Sequence, residues 1–362
     1  VTNPQQIFPP VNPFPFHQSR HFKAGHETAV SCWPPDSADT IIYSKTPLLH
    51  NRLLEDFERV RFERSGIVVG EYMAMSDGLI LMDRKGNCFS INFPNDYSLM
   101  AGRPFTEVNT LQFWDHRQWL LDNWNLLPIV ENGTIWSHIY HNNYYHFSFE
   151  FIQKARLTRE YDIDKIVMPS EILRLLFQRD LLSRAIGGTT VILQDKPVRM
   201  INPVIADAVQ SYEALGWLRR TVKFDTQPGK NRYYIRRTPK VNRPGNNLSE
   251  SVEFLDFIER HNFTTIDFGS GEVPISGQIE MLREAAVILS PHGAGLTNIS
   301  YLNPPLAIIE YFGRRVLSAS FMQIAINLGF RYFAVIGEDE DTDKCIVPDV
   351  EQLEAIMAEI AG

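Results

Sequence analysis

The run Val287-Ile-Leu-Ser-Pro-His-Gly-Ala-Gly-Leu-Thr-Asn298 gathers the residue types that can hold an anion: an apolar strand, a tight Gly-Ala-Gly turn, and a polar helix start. Glycine lets a ligand approach the backbone closely, and the unpaired amides of a helix start attract a diphosphate. His292, Gly293, Ala294, Gly295, Leu296, Thr297 and Asn298 are therefore expected to line a nucleotide-binding turn. His292 adds a polar group before the turn, and Thr297 and Asn298 add donors on its first helical turn. Small residues also serve tight strand-to-helix turns that bind nothing, so these flanks carry the weight. An NAD fingerprint would need Gly-x-Gly-x-x-Gly in the first βα unit, with an acidic residue about 20 positions later. Here the third glycine is absent and the motif comes late in the chain.

Three further groups fit the same chemistry. Glu310 ends the apolar run Leu306 to Tyr311, and ligands of open α/β sheets sit beyond the carboxyl ends of strands, so its carboxylate is expected to accept ribose hydroxyls. Arg236 and Arg237 follow the strand-like Tyr233-Tyr-Ile, and one of them is expected to fork onto phosphate oxygens. His146 and Glu150 stand four apart near the start of a helical stretch, hence on one face. A histidine or carboxylate placed opposite a leaving nucleotide can take the proton of an attacking hydroxyl. His146 is preferred as that base, with Glu150 orienting it or touching the acceptor, and the reverse assignment stays open. His138, His141 and His146 invite a metal reading, but their spacing straddles a strand end and a helix start, so no metal site is expected. Asp162-Ile-Asp164 reads as a solvated turn.

These residues need a scaffold of alternating strands and helices. Thr134 to Ile139, Ile163 to Met168 and Thr189 to Leu193 read as strands, with helices over 143–159 and 170–186. A second set begins after Gln227-Pro228-Gly229: strands at 233–236, 264–268, 287–290, 306–311 and 332–336, with helices between and a final one bearing Leu353, Met357 and Ile360. In the first of these helices Asn247 and Glu250 suggest a capping box, with Leu248, Val252, Leu255 and Ile258 as the apolar side. Ser276 is expected to cap the next. Such alternation predicts parallel sheets with crossover helices, an α/β fold in two Rossmann-like lobes. The amino-terminal lobe is placed at 1–215, including an irregular Pro-rich arm and a small β-meander within 1–95. The nucleotide-binding lobe is placed at 216–345. A terminal helix is expected over 346–362, with the first lobe as a candidate surface for it to pack back on.

The whole chain narrows the class. Its 362 residues exceed what one core usually fills. A net charge of −8, without a basic stripe, argues against nucleic acid. Cys32, Cys88 and Cys345 are an odd, scattered set, which suggests a reducing, cytoplasmic setting. No apolar run reaches membrane-spanning length, which leaves peripheral contact at the inner face of a membrane as the membrane role to consider.

The strand Tyr233-Tyr-Ile-Arg-Arg237, the helix through Gln278, the run Pro291 to Asn298, Asn303-Pro-Pro and Ile308-Ile-Glu310 together resemble family 61 of the glycosyltransferases. Asn143-Tyr-Tyr-His-Phe-Ser-Phe-Glu150 is similar to that family's Tyr-His-aromatic element, although Phe151 to Arg156 depart from the acidic-then-Leu-Pro-Arg pattern that often follows. The resemblance implies two Rossmann-like lobes facing a cleft, the GT-B arrangement. It also implies an inverting transfer from a nucleotide-sugar, with no obligatory metal or other cofactor. UDP is the expected nucleotide. A glycan or lipid-linked saccharide is the expected acceptor, in cell-surface polysaccharide or capsule biosynthesis. The rival readings are a nicotinamide-dependent oxidoreductase and a non-catalytic glycan-binding protein on the same fold.

Overall fold

The computed structural model describes residues 22–30, 40–43, 47–58, 61–74, 80–85, 88–90, 118–138, 140–194, 196–224, 226–227, 229–237, 247–269, 273–337, 340–341 and 345–362. The Pro-rich start, Val1 to Phe16, lies outside them. Three sheets organise the described residues. The carboxy-terminal one runs Phe263–Ile266, Asn231–Ile235, Ala285–Pro291, Ala307–Gly313, Arg331–Gly337, Thr40–Tyr43, with every pairing parallel. Its third to fifth strands are apolar on both faces, as a sheet covered on both sides requires. Ile308 and Phe312 join one core and Ala307, Ile309 and Tyr311 the other, by simple alternation along the strand.

A second six-stranded sheet runs Phe22–Val30, Arg61–Val68, Val204–Asp207, Gly133–Ile135, Lys165–Pro169, Thr190–Gln194. Its last four strands are parallel and its first two antiparallel. Against it lies a five-stranded sheet that begins with the antiparallel meander Cys88–Ser90, Ile80–Asp83, Glu71–Ala74. Val68, Tyr72, Leu81, Val130, Val167 and Met200 fill the space between the two. The expected α/β class with parallel sheets is what the chain adopts. No helix among the described residues is long and apolar enough to cross a membrane.

Several local expectations fail for physical reasons. Phe22–Val30, expected to be irregular, is a nine-residue strand, because Arg61–Val68 supplies a pairing edge that composition alone does not reveal. Thr40–Tyr43 closes the carboxy-terminal sheet, so a segment from the start of the chain completes the later fold. The helix Val252–Arg260 is capped by Ser251, whose side chain accepts from the Phe254 amide, rather than by Asn247. Phe254, Phe257 and Ile258 are buried there while Val252 is 77% and Leu255 45% exposed, since two phenyl rings remove more apolar surface from water. Ser276 is inside the helix Ile275–Leu282, whose cap is Pro274. The terminal helix Val350–Ala361 packs against the carboxy-terminal sheet, through Leu353, Ile356 and Met357 beside Phe254, Phe257 and Ile309, and not on the amino-terminal lobe.

The other core is shared by both halves of the chain. Trp136, Tyr144, Phe147, Phe151, Trp217 and Leu218 are continuous with Ile235, Ile288, Leu296, Ile308 and Phe321. This continuity holds the two candidate chemical groups in one rigid body of side chains.

Candidate functional site

The amino-terminal group is built on one helical segment. Asn143 starts it by accepting from the amides of Tyr145 and His146. The expected continuous helix is instead Tyr144–His146, a π-helical turn Phe147–Phe151, and Lys154–Leu157. Single π turns occur often at functional sites. Along this segment His146, Glu150 and Lys154 recur at intervals of four. His146 Nδ1 lies 2.7 Å from Glu150 Oε2, and His138 Nε2 approaches the same oxygen at 2.8 Å. The two imidazoles stack with ring centres 5.6 Å apart. His138 comes from the loop after the strand Gly133–Ile135, so only the fold brings it here.

Burial pushes the Glu150 carboxyl up, but the adjacent imidazoles of His146 and His138 outweigh it and hold the group below the usual carboxylate range. Burial pushes His138 down, towards its neutral form, against the pull of Glu150. The Tyr140 amide donates to His138 Nδ1 at 3.1 Å, so the ring hydrogen belongs on Nε2, facing Glu150. Glu150 in turn favours a hydrogen on His146 Nδ1, which leaves the lone pair of a neutral His146 on Nε2. That is the tautomer a general base requires.

His138, His146 and Glu150 place ligand atoms within 4.8 Å of one another, close enough to hold a metal ion. The set differs from the three histidines weighed on spacing, because His141 turns to the His138 carbonyl at 2.8 Å. The donor chemistry fits a metal poorly: with Nδ1 already accepting a hydrogen bond, a neutral His138 has no lone pair on Nε2 to offer.

The second group sits at the carboxyl edge of the carboxy-terminal sheet. That sheet grows outward from Asn231–Ile235 in both directions, to Phe263–Ile266 on one side and Ala285–Pro291 on the other. The crevice at such a reversal is where ligands of open α/β sheets bind. Both predicted runs end there, and Arg237 Nη1 donates to the His292 carbonyl at 2.7 Å. Arg236 is half exposed and pairs with Glu250 at 2.7 Å, so Arg237 is the arginine that reaches the turn. Leu296 N–H to the Gly293 carbonyl is the first bond of the 3₁₀ helix Ala294–Tyr301, and the amides of Ala294 and Gly295 precede its ladder. His292 Nδ1 bonds Glu310 Oε1 at 2.6 Å, with its ring stacked on Phe312 and against Phe321.

The two groups meet through aromatic rings. His146 contacts Tyr145 at 5.2 Å between centres, Tyr145 contacts Phe321 at 5.5 Å, and Phe321 contacts His292 at 5.5 Å. A histidine–carboxylate pair thus stands on each side of one aromatic bridge, the second beside the Gly-Ala-Gly turn. The sequence profile described as Glycosyltransferase 61 matches residues 119–309, just over half of the chain, and takes in His138, His146, Glu150, Arg237 and His292, ending one residue before Glu310. The chain belongs to glycosyltransferase family 61. No curated protein matches it.

Within this family 61 glycosyltransferase the structure redistributes several expected roles. Glu310 is mid-strand and fully buried, with one oxygen on His292 and the other accepting from the Tyr332 hydroxyl. It orients His292, and a ribose has no access to it. Thr297 and Asn298 also face inward. Asn298 donates to Gln278 at 2.9 Å and accepts from the Tyr144 hydroxyl at 3.0 Å, which ties the motif to the amino-terminal helix. Leu296 is core. A Cβ at Gly295 would meet Ile235 at 3.3 Å and Phe268 at 3.5 Å, and one at Gly293 would meet Arg237 at 3.3 Å. These glycines serve packing and the arginine first. The sequence analysis weighed His138 only as a metal ligand and passed over Lys154 and Tyr332; a lysine four beyond Glu150 was the local signal for Lys154.

Proposed function

We propose that this glycosyltransferase transfers a hexosyl or pentosyl group from a UDP-linked sugar to a saccharide acceptor with inversion, without an obligatory metal. The placement of His146 and His292 on either side of the Tyr145–Phe321 bridge carries the reading. Arg237, His292 and the amides of Ala294 and Gly295 receive the donor diphosphate in the crevice of a GT-B arrangement. The acceptor hydroxyl oxygen attacks the anomeric carbon from the opposite face. The carbon–oxygen bond to the β-phosphate breaks with its electron pair leaving on the phosphate, and the hydroxyl proton passes to His146 Nε2. Charge on the departing nucleotide is offset by Arg237 and by the turn, the preorganised support that a metal supplies elsewhere. Glycan or lipid-linked saccharide in cell-surface polysaccharide biosynthesis is the acceptor class we favour.

A thermal-shift panel of UDP, other nucleoside diphosphates and NAD tests the donor side. A ligand that binds only the folded chain stabilises it by about 2.7 kcal/mol at a hundredfold excess over Kd. UDP should raise the melting temperature and NAD should not, and transfer should persist in excess EDTA. Loss of transfer in EDTA, restored by manganese, would overturn the metal-free mechanism.

A further inference from the structure

Lys154 is almost wholly buried, and the chemistry proposed above gives it no part. Its ammonium donates to the Ser137 carbonyl at 3.0 Å. One turn earlier on the same face, Glu150 holds the ring of the next residue, His138, at 2.8 Å. The stripe His146, Glu150, Lys154 is therefore fastened at two successive residues to the loop that follows Gly133–Ile135. The polar side chains beside it on the segment have partners of their own. Arg156 is engaged by Glu63, Gln153 binds the carbonyls of Ser148 and Ala214, and Thr158 binds the Lys154 carbonyl. A buried ammonium is costly unless it compensates an anion. The charged groups acting on it are Asp207 at the end of the strand Val204–Asp207 and Glu150 on its own helix; those acting on Glu150 are His146 and His138, and Lys154 in turn bears on His138.

We propose that Lys154 is a positioning residue for the transfer reaction, whose ammonium clamps the Ser137–His138 loop so that His138 and Glu150 together hold His146 in its base tautomer. The inference rests on His146 being the base. With the ammonium in place Glu150 accepts from both imidazoles. Without it, the loop that carries His138 is released, Glu150 loses the firm placement of one of its two imidazole partners, and the hydrogen on His146 Nδ1 is fixed less firmly. Burial pushes Lys154 down to about 8, with Asp207 and Glu150 pulling the other way, so this support fails just above neutrality. Transfer should therefore fall as pH rises through about 8.

The test compares the parent with Lys154→Met and Lys154→Arg in two arms. In the first, kcat and donor KM are followed from pH 6 to 10. Lys154→Met should lower kcat about tenfold at neutral pH, the order of loss for one charged hydrogen bond, with donor KM unchanged and no alkaline limb of its own. Lys154→Arg, charged throughout, should retain kcat and stay active above the pH at which the parent declines. In the second arm, the imidazole resonances of His138 and His146 are titrated by NMR, and both should shift in Lys154→Met. A Met variant with the parent's kcat, pH profile and imidazole titrations would overturn the proposal. Should that variant not fold, a parent rate that stays flat from pH 7 to 9 would overturn it equally. If the parent transfers no sugar at all, the functional reading fails, while the imidazole arm still decides the role of Lys154.

Discussion

The two histidine–carboxylate pairs are close in form and opposite in construction. His146 and Glu150 are four residues apart on one helical segment, whereas His292 and Glu310 are eighteen apart and meet because neighbouring parallel strands set Ser290 against Glu310. Glu150 is shared by two imidazoles near a buried ammonium, and it can respond to protonation around it. Glu310 is fully buried and held by a phenol and a single imidazole whose ring is pressed between Phe312 and Phe321. In the proposed reaction the helical pair handles the proton. The sheet pair stays still, as that proposal requires of a group that receives a leaving phosphate.

If that division of labour holds, the largest effect belongs to the helical pair. His146→Ala should lower turnover by ~10²- to 10⁴-fold, the usual cost of losing a general base. Steady-state kinetics would show it, and a variant that transfers at the parent rate would move the base to Glu150. Next comes the sheet pair, where the effect is on stability. Glu310→Ala strips the buried partner from His292 and Tyr332 together, and breaking a buried pair costs about 3 kcal/mol or more. Urea unfolding should register that loss, and an unchanged midpoint would mean that Glu310 is not holding the strand edge. The smallest effect concerns pH. Burial lowers the pKa of His138 in the folded chain, so below its ordinary value of 6.5 the unfolded chain binds more protons. Stability should therefore fall as pH drops through that region. Unfolding midpoints at pH 7.5 and 5.5 should converge in His138→Gln relative to the parent; an unaltered difference would remove His138 from the account.

The same contrast explains what could be read from the residues. The i to i+4 spacing made His146 and Glu150 legible, and the strand, glycines and arginines marked the carboxyl edge of the later sheet, because both signals are local. His138 joins Glu150 from a separate loop, and Tyr332 reaches Glu310 from the next strand, so neither has a local signature. Glu310 was misjudged because its strand runs on to Gly313, which turns an expected terminal carboxylate into an interior one. Thr40–Tyr43 was invisible for a related reason: four residues make a strand only when Arg331–Gly337 offers an edge. The buried side of Val252–Arg260 was misread because periodicity allowed two faces and the phenyl rings decided between them.

The claim that binding and proton transfer are divided between the two groups is tested most directly by calorimetric titration of UDP into the parent, His146→Ala and Arg237→Ala. Arg237 touches the His292 carbonyl and lies against Gly293, so removing its guanidinium should forfeit a charged hydrogen bond to the diphosphate, about 1.5–3 kcal/mol of affinity. His146→Ala should bind UDP as tightly as the parent. The opposite pattern, with binding lost in His146→Ala and intact in Arg237→Ala, would contradict the account.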